Sequence, residues 1–131
     1  VAHLYLDVSG SMSAYLPYLT AACREPFRRG EIKIFAFSTV VSEVKGSDLT
    51  KISFANTFGT DINAVLGHAA SIPPKRRPKV ILIVTDGFVG RANGLLLAKL
   101  GKTRTVAALT ALGSDADLNP WISQINRLPQ P

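Results

Sequence analysis

The run Val80-Ile81-Leu82-Ile83-Val84 constrains the fold more than any other stretch of this chain. It is β-branched except at Leu82, and Pro78 and Gly87 bound it, so Lys79 to Thr85 reads as a strand. A strand with no polar side has no face to offer water. It belongs inside a sheet covered on both sides, which in practice means parallel neighbours and flanking helices. The run is the longest unbroken aliphatic stretch and is far too short to span a bilayer. No signal-peptide pattern is present either.

The rest of the chain alternates in the way such a sheet requires. Val1 to Val8 reads as a strand, with Leu4, Leu6 and Val8 alternating against Tyr5 and Asp7. Met12 to Phe27 has helical spacing, with Pro17 tolerable near the first turn. Glu31 to Phe37 is a second strand, and Val40 to Lys45 a short hairpin partner, therefore antiparallel. Lys51 to Gly59 is irregular. Asp61 to Ile72 is helical and is stopped by Pro73-Pro74. Arg91 to Leu100 is a helix ending at Gly101, and Arg104 to Thr110 a further strand. The spacing of Leu118, Trp121, Ile122, Ile125 and Leu128 predicts a closing helix with Pro120 in its first turn, and no sixth strand.

Right-handed crossovers then give a doubly wound, Rossmann-like open α/β sheet. It is mostly parallel, with one short antiparallel edge strand and helices on both faces. At 131 residues the chain fits one domain spanning 1–131. It opens on Val1 rather than Met and reads as a domain cut from a longer protein. Hydrophobic residues at 47% against 18% charged exclude disorder. Cys23 is the lone cysteine and has no internal disulfide partner, which suits a reducing, cytoplasmic setting. The net charge of +6 would steer an acidic partner in a salt-dependent way.

Ligands of open α/β sheets bind beyond the carboxyl ends of the strands. Three polar clusters fall there: Asp7-Val8-Ser9-Gly10-Ser11, Gly59-Thr60-Asp61 and Thr85-Asp86-Gly87. Carboxylates and hydroxyls are hard oxygen donors, and Mg²⁺ or Mn²⁺ takes six of them. A turn eased by Gly10 lets Asp7, Ser9 and Ser11 aim at one point, with Thr60 and Asp86 adding oxygens. Two separated histidines and one cysteine make no zinc set. Taken singly, each cluster has a plainer reading. Ser9 and Ser11 could cap a helix, Thr60 could cap the helix that follows it, and Asp86-Gly87 could be a simple turn.

Asp-x-Ser-x-Ser after the first strand, Thr60 in Gly-Thr-Asp and Asp86 in Thr-Asp-Gly, in that order, resemble the metal-ion-dependent adhesion site (MIDAS) of von Willebrand factor A (vWA) domains. The resemblance runs from Val1 to about Leu128. It implies that Asp7, Ser9, Ser11, Thr60 and Asp86 are the metal residues, and that Asp61 supports them or starts a helix. It also implies a non-enzymatic protein-binding module. There Mg²⁺ or Mn²⁺ bridges to an Asp or Glu carboxylate of a partner protein, within an intracellular complex such as one built on an AAA ATPase. The chain departs from the family in being short and in having minimal loops around the metal face.

Two other functions compete. A Mg²⁺-dependent phosphohydrolase of the haloacid-dehalogenase type also places an Asp after its first strand. It needs a second acid two residues on, where this chain has Ser9. An RNA-binding role, as in Ro-like proteins that carry a vWA domain, suits the net charge but finds no single-strand recognition motif. Lys75, Arg76, Arg77 and Lys79 read as a solvated connection at the opposite sheet end rather than a nucleic-acid patch. His68 reads as an exposed helix residue, His3 as structural, Cys23 as a small core residue, and Tyr15 and Tyr18 as packing. Tyr15 lies close enough to the site to rim it, and Phe88 could either rim the site or anchor its loop.

Overall fold

The computed structural model describes residues 1–51 and 59–131. Among the described residues six strands form one sheet in the order β3-β2-β1-β4-β5-β6. These are β1 (Ala2–Asp7), β2 (Ile32–Phe37), β3 (Val41–Val44), β4 (Val80–Thr85), β5 (Arg104–Leu109) and β6 (Gln124–Arg127). Only β3 runs antiparallel, paired with β2; every other neighbouring pair is parallel. The two central strands are β1 and β4, the most buried pair, in register from His3 opposite Ile81 to Leu6 opposite Val84.

Helices α1 (Leu16–Arg28), α2 (Ile62–Ser71) and α3 (Gly94–Leu100) cover the sheet. Alternation along β1 divides the core. Tyr5 faces the side where Ile62, Val65, Leu66 and Ala69 of α2 meet Ile81 and Ile83. Leu4, Leu6 and Val8 face the other side, where Met12 and Leu16 pack against Ile34 and Val84. The doubly wound α/β arrangement expected from the alternation is therefore present.

The connections place the candidate residues. The chain moves away from β1 in one direction to β2 and in the other to β4, so the carboxyl ends of β1 and β4 flank the point where strand order reverses. Both strands end in the polar clusters, Asp7 closing β1 and Thr85 closing β4. The α2 start is tied to the same edge, because Asp61 N–H donates to the Ser38 carbonyl (2.9 Å) and Ile62 N–H to the Val89 carbonyl (2.8 Å).

Three expectations are corrected. The closing segment is not a helix but one turn followed by a sixth strand. Ile122 N–H donates to the Leu118 carbonyl at 2.9 Å, and then Gln124–Arg127 pairs with β5. The apolar positions themselves are as expected, since Leu118 and Ile122 are buried and Trp121 and Ile125 pack on the same core. Their spacing mimics a helix because a single turn supplies the first contacts and an edge strand needs only one inward residue, Ile125. The first helix starts at Leu16, after a 3-10 turn over Gly10–Met12, with Pro17 in its first turn as expected. The third helix starts at Gly94, where the Asn93 side chain accepts from the Leu95 and Leu96 N–H groups. Of the segment expected to be irregular, residues 52–58 lie outside the described residues.

Candidate metal centre

Asp7 is fully buried at the end of β1. Its Oδ1 accepts from the Ser9 N–H at 2.9 Å, and its Oδ2 accepts from the Thr85 hydroxyl at 2.6 Å. That hydroxyl in turn accepts from the Gly87 N–H at 3.1 Å. Both carboxylate oxygens are thus held, but only by neutral donors. The described ion pairs all lie among Glu25, Arg28, Arg29 and Glu31, so among the described residues no cation balances Asp7. Burial pushes its carboxyl above the usual range. The hydrogen bonds from Thr85 and Ser9 pull it down, and the negative charge of Asp86 adds to the rise.

Two residues further on, Ser9 is extended and the chain then tightens into the 3-10 turn. This turn brings the Ser9 and Ser11 hydroxyls together at 3.1 Å. Ser11 donates onward to Asp86 Oδ2. The second oxygen of Asp86 accepts from the Phe88 N–H at 3.1 Å, so the turn after β4 fixes its carboxylate. Asp7, Ser9, Ser11 and Asp86 are therefore one hydrogen-bonded group, drawn from positions about eighty residues apart by the β1–β4 pairing.

Thr60 stands just before α2 at the same sheet edge, but no described hydrogen bond joins it to the other four. Asp61 is the cap of α2, its Oδ1 accepting from the Asn63 N–H at 2.9 Å, which fits the helix-start role expected of it.

Thr85 stands in one of the three polar clusters, but its contact with Asp7 is one that sequence reasoning misses. The signal is there, since it is the one hydroxyl in the last position of an otherwise aliphatic strand, immediately before Asp86. Gly87 is more than a turn marker. Its φ is +86°, and an added Cβ would overlap the Ser114 carbonyl oxygen, so the loop after β5 packs directly on the turn that holds Asp86. The Ser114 N–H donates to the Asp86 carbonyl at 2.9 Å. Tyr15 reaches the same edge, its hydroxyl accepting from the Ala111 N–H at 3.0 Å.

Of the other single residues, His68 and Tyr18 differ from expectation. His68 is half-buried, with Nδ1 2.8 Å from the Tyr5 hydroxyl. Tyr18 is 64% exposed and does not pack. Phe88 is also exposed, beside Asp86. Cys23 is half-buried against the α1-side core, and burial pushes its thiol up.

The donor set suits a hard divalent cation. It consists of carboxylate and hydroxyl oxygens only, with one buried acid lacking a counter-charge among the described residues and a second acid nearby. No group of three or more His, Cys, Asp or Glu occurs among the described residues, so a nitrogen- or thiolate-rich centre has no footing there.

Comparison with solved structures shows the same fold at low identity. A von Willebrand factor type A protein from Catenulispora acidiphila superposes with a TM-score of 0.69 at 14% identity, covering 98% of this chain and 38% of that one. Proximal thread matrix protein 1 of the mussel byssus, solved with a zinc-occupied MIDAS motif, gives 0.67 at 17%, covering 96% and 40%. An aerotolerance-related membrane protein from Bacteroides fragilis gives 0.59 at 20%, covering 83% and 65%. The chain thus spans less than two thirds of each of these proteins. A search of the curated proteins finds no match. Residues 3–117 match the family described as VWA domain containing CoxE-like protein. A stretch of that length takes in β1 to β5 and both loops that carry the hydrogen-bonded acids and serines, and on it the chain belongs to this vWA family.

Proposed function

We propose that this domain is a protein-binding module whose Asp7, Ser9, Ser11, Thr60 and Asp86 hold Mg²⁺ or Mn²⁺ and thereby capture an Asp or Glu side chain of a partner protein. The observation that carries the reading is the buried Asp7, without a counter-ion among the described residues, tied through two serine hydroxyls to a second carboxylate. When bound, the cation supplies a Lewis-acidic position open to an outside carboxylate.

The chain's own residues do the rest. Thr85 and the Ser9 N–H hold the Asp7 carboxylate in place, and Phe88 N–H holds Asp86. Ser9 and Ser11 present neutral oxygens, so the set carries two negative charges rather than four or five. A divalent charge is then cancelled but not exceeded, so an incoming acid meets no net negative charge at the open position. The preference for Mg²⁺ or Mn²⁺ follows from the all-oxygen set. Zinc, found in the mussel protein, is the competitor to include in any titration.

This reading makes the domain a binder and not an enzyme. A haloacid-dehalogenase mechanism needs an acid at the position of Ser9, and the Ser9 hydroxyl at 3.1 Å from Ser11 cannot take a general acid's place. An AAA ATPase as the partner and a cytoplasmic setting remain part of the proposal through the family resemblance and the lone Cys23. No described helix is long and apolar enough to cross a membrane.

The test is capture of a panel of peptides, each displaying one exposed Asp or Glu, on the immobilised domain. Binding in Mg²⁺ that disappears in EDTA, and disappears with Ser9→Ala or Asp86→Ala, is the expected result. Binding of the acidic peptides that ignores EDTA contradicts the reading.

A further inference from the structure

Five aspartates gather at the carboxyl edge of the sheet and several lysines and arginines at the amino edge, although Arg91 and Arg127 lie at the carboxyl edge and Glu31 at the amino edge. Asp7, Asp61, Asp86, Asp115 and Asp117 follow strands or open α2 at the carboxyl edge. At the amino edge two adjoining cavities, of about 660 and 280 Å³, share Arg77, Pro78 and Lys79 in their walls. The larger is also lined by Lys33 and Arg76, the smaller by Lys102, and no acidic side chain lines either.

The convergence has a plain structural origin. Lys33 stands opposite His3 at the start of β2, and Lys79 directly precedes β4. Arg76 ends the short 3-10 turn that leads from α2 into β4. Arg77 is committed elsewhere, its guanidinium donating to the carbonyls of Ala70, Ile72 and Lys99. Lys33, Arg76, Lys79 and Lys102 make no ion pair among the described residues. Like charges gathered at one concave surface repel unless an anion sits among them.

We propose that this groove binds a small phosphorylated organic molecule, its phosphate among Lys33, Arg76 and Lys79 and its apolar part against Ala2, Pro78 and Val80. The size lies in the range of small-molecule sites, which are concave and largely apolar with a few polar anchors. Several cations lining one groove favour a multiply charged phosphate over a single carboxylate, and the guanidinium fork of Arg76 suits its oxygens. The apolar wall gives an organic group something to bury, which a bare inorganic ion would leave unused. A nucleic-acid strand fits less well, because no aromatic side chain other than the His3 ring lines the groove to stack a base. The groove lies at the sheet end opposite the candidate metal centre and does not depend on it.

The test is calorimetric titration of the domain in EDTA, so that no divalent cation takes part, with ADP, inorganic pyrophosphate and adenosine as probes. One-to-one saturable binding of ADP, weaker binding of pyrophosphate and none of adenosine are expected. Arg76→Gln combined with Lys79→Gln weakens ADP binding by about tenfold or more, the loss of two charge-assisted contacts. Both altered cations are exposed, so the ligand-free melting temperature should stay at the wild-type value. If it falls, Lys33→Gln with Lys102→Gln, also exposed, gives the same reading. No saturable binding of ADP or pyrophosphate, or equal binding by wild type and the double variants, overturns the proposal. So does a single-stranded RNA oligomer that outcompetes ADP through the same residues.

Discussion

Replacing Thr85 by valine keeps the shape of a fully buried side chain and removes one hydroxyl. That hydroxyl does two things: it donates to Asp7 Oδ2 at 2.6 Å and accepts from the Gly87 N–H at 3.1 Å. Thr85→Val therefore deprives a buried carboxylate of a donor and leaves a buried backbone N–H alone. A hydrogen bond to a charged group contributes roughly 1.5–3 kcal/mol, and an orphaned buried donor costs roughly 1–3 kcal/mol. Allowing for relaxation and overlap between the two, the variant should lose about 2–4 kcal/mol at pH 7. For a chain of this size that is a fall of roughly 8–16 °C in Tm. The effect has a pH signature. The Thr85 hydrogen bond acts to lower the Asp7 pKa, so its removal raises the native pKa further above the unfolded value. The charge-dependent part of the deficit is present while Asp7 is ionised, and it shrinks as acid protonates Asp7 in both proteins. Urea unfolding of wild type, Thr85→Val and Thr85→Ser from neutral to acidic pH checks this, with serine retaining most of the stability. A valine variant as stable as wild type at pH 7, or a deficit that does not narrow in acid, would refute the reasoning.

The packing dictates three further outcomes. Gly87→Ala must place a Cβ against the Ser114 carbonyl at a positive φ, so it should cost at least ~2 kcal/mol in urea unfolding and shift the Asp86 turn. Arg77→Ala releases the carbonyls of Ala70, Ile72 and Lys99, and loss of about 2 kcal/mol is expected, with faster hydrogen exchange at the ends of α2 and α3. Burial lowers the pKa of both His3 and His68 from 6.5, so the unfolded chain takes up more protons in the window just below that value. Stability should therefore fall as pH drops through 6.5 toward the folded pKa values, and His3→Leu, which also removes the unpartnered buried Nδ1, should flatten part of that slope in urea melts.

The architecture is legible in the sequence because two periodicities carry it. The aliphatic strand at Val80 to Val84 has no polar face, and so announces a central parallel position. Asp7, Ser9, Ser11 and Asp86 are legible as a set because each follows a strand, and sheet pairing alone brings them together. Thr85 escapes notice because a threonine in a strand is ordinary by propensity; only its burial between Asp7 and Gly87 gives it a role. The closing strand is hidden for a different reason. Leu118 and Ile122 are spaced for a helix and do occupy one turn. Backbone pairing to the free edge of β5 then makes Gln124–Arg127 a strand, and a side-chain pattern does not encode an edge. His68 reads as a surface residue because its partner, Tyr5, lies sixty-three positions away.

Asp7, Ser9, Ser11, Thr60 and Asp86 are proposed to form together a site for a divalent cation. Thermal unfolding of the wild-type domain against Ser9→Ala and Asp86→Ala, titrated with Mg²⁺ and Mn²⁺ and compared with Zn²⁺ and Ca²⁺, tests it most directly. Mg²⁺ or Mn²⁺ at about a hundred times the dissociation constant should stabilise the wild type by about 2.7 kcal/mol. Both variants should lose that gain while still folding. An identical Tm for the wild type with and without every one of these ions, or equal gains in the wild type and both variants, would contradict it.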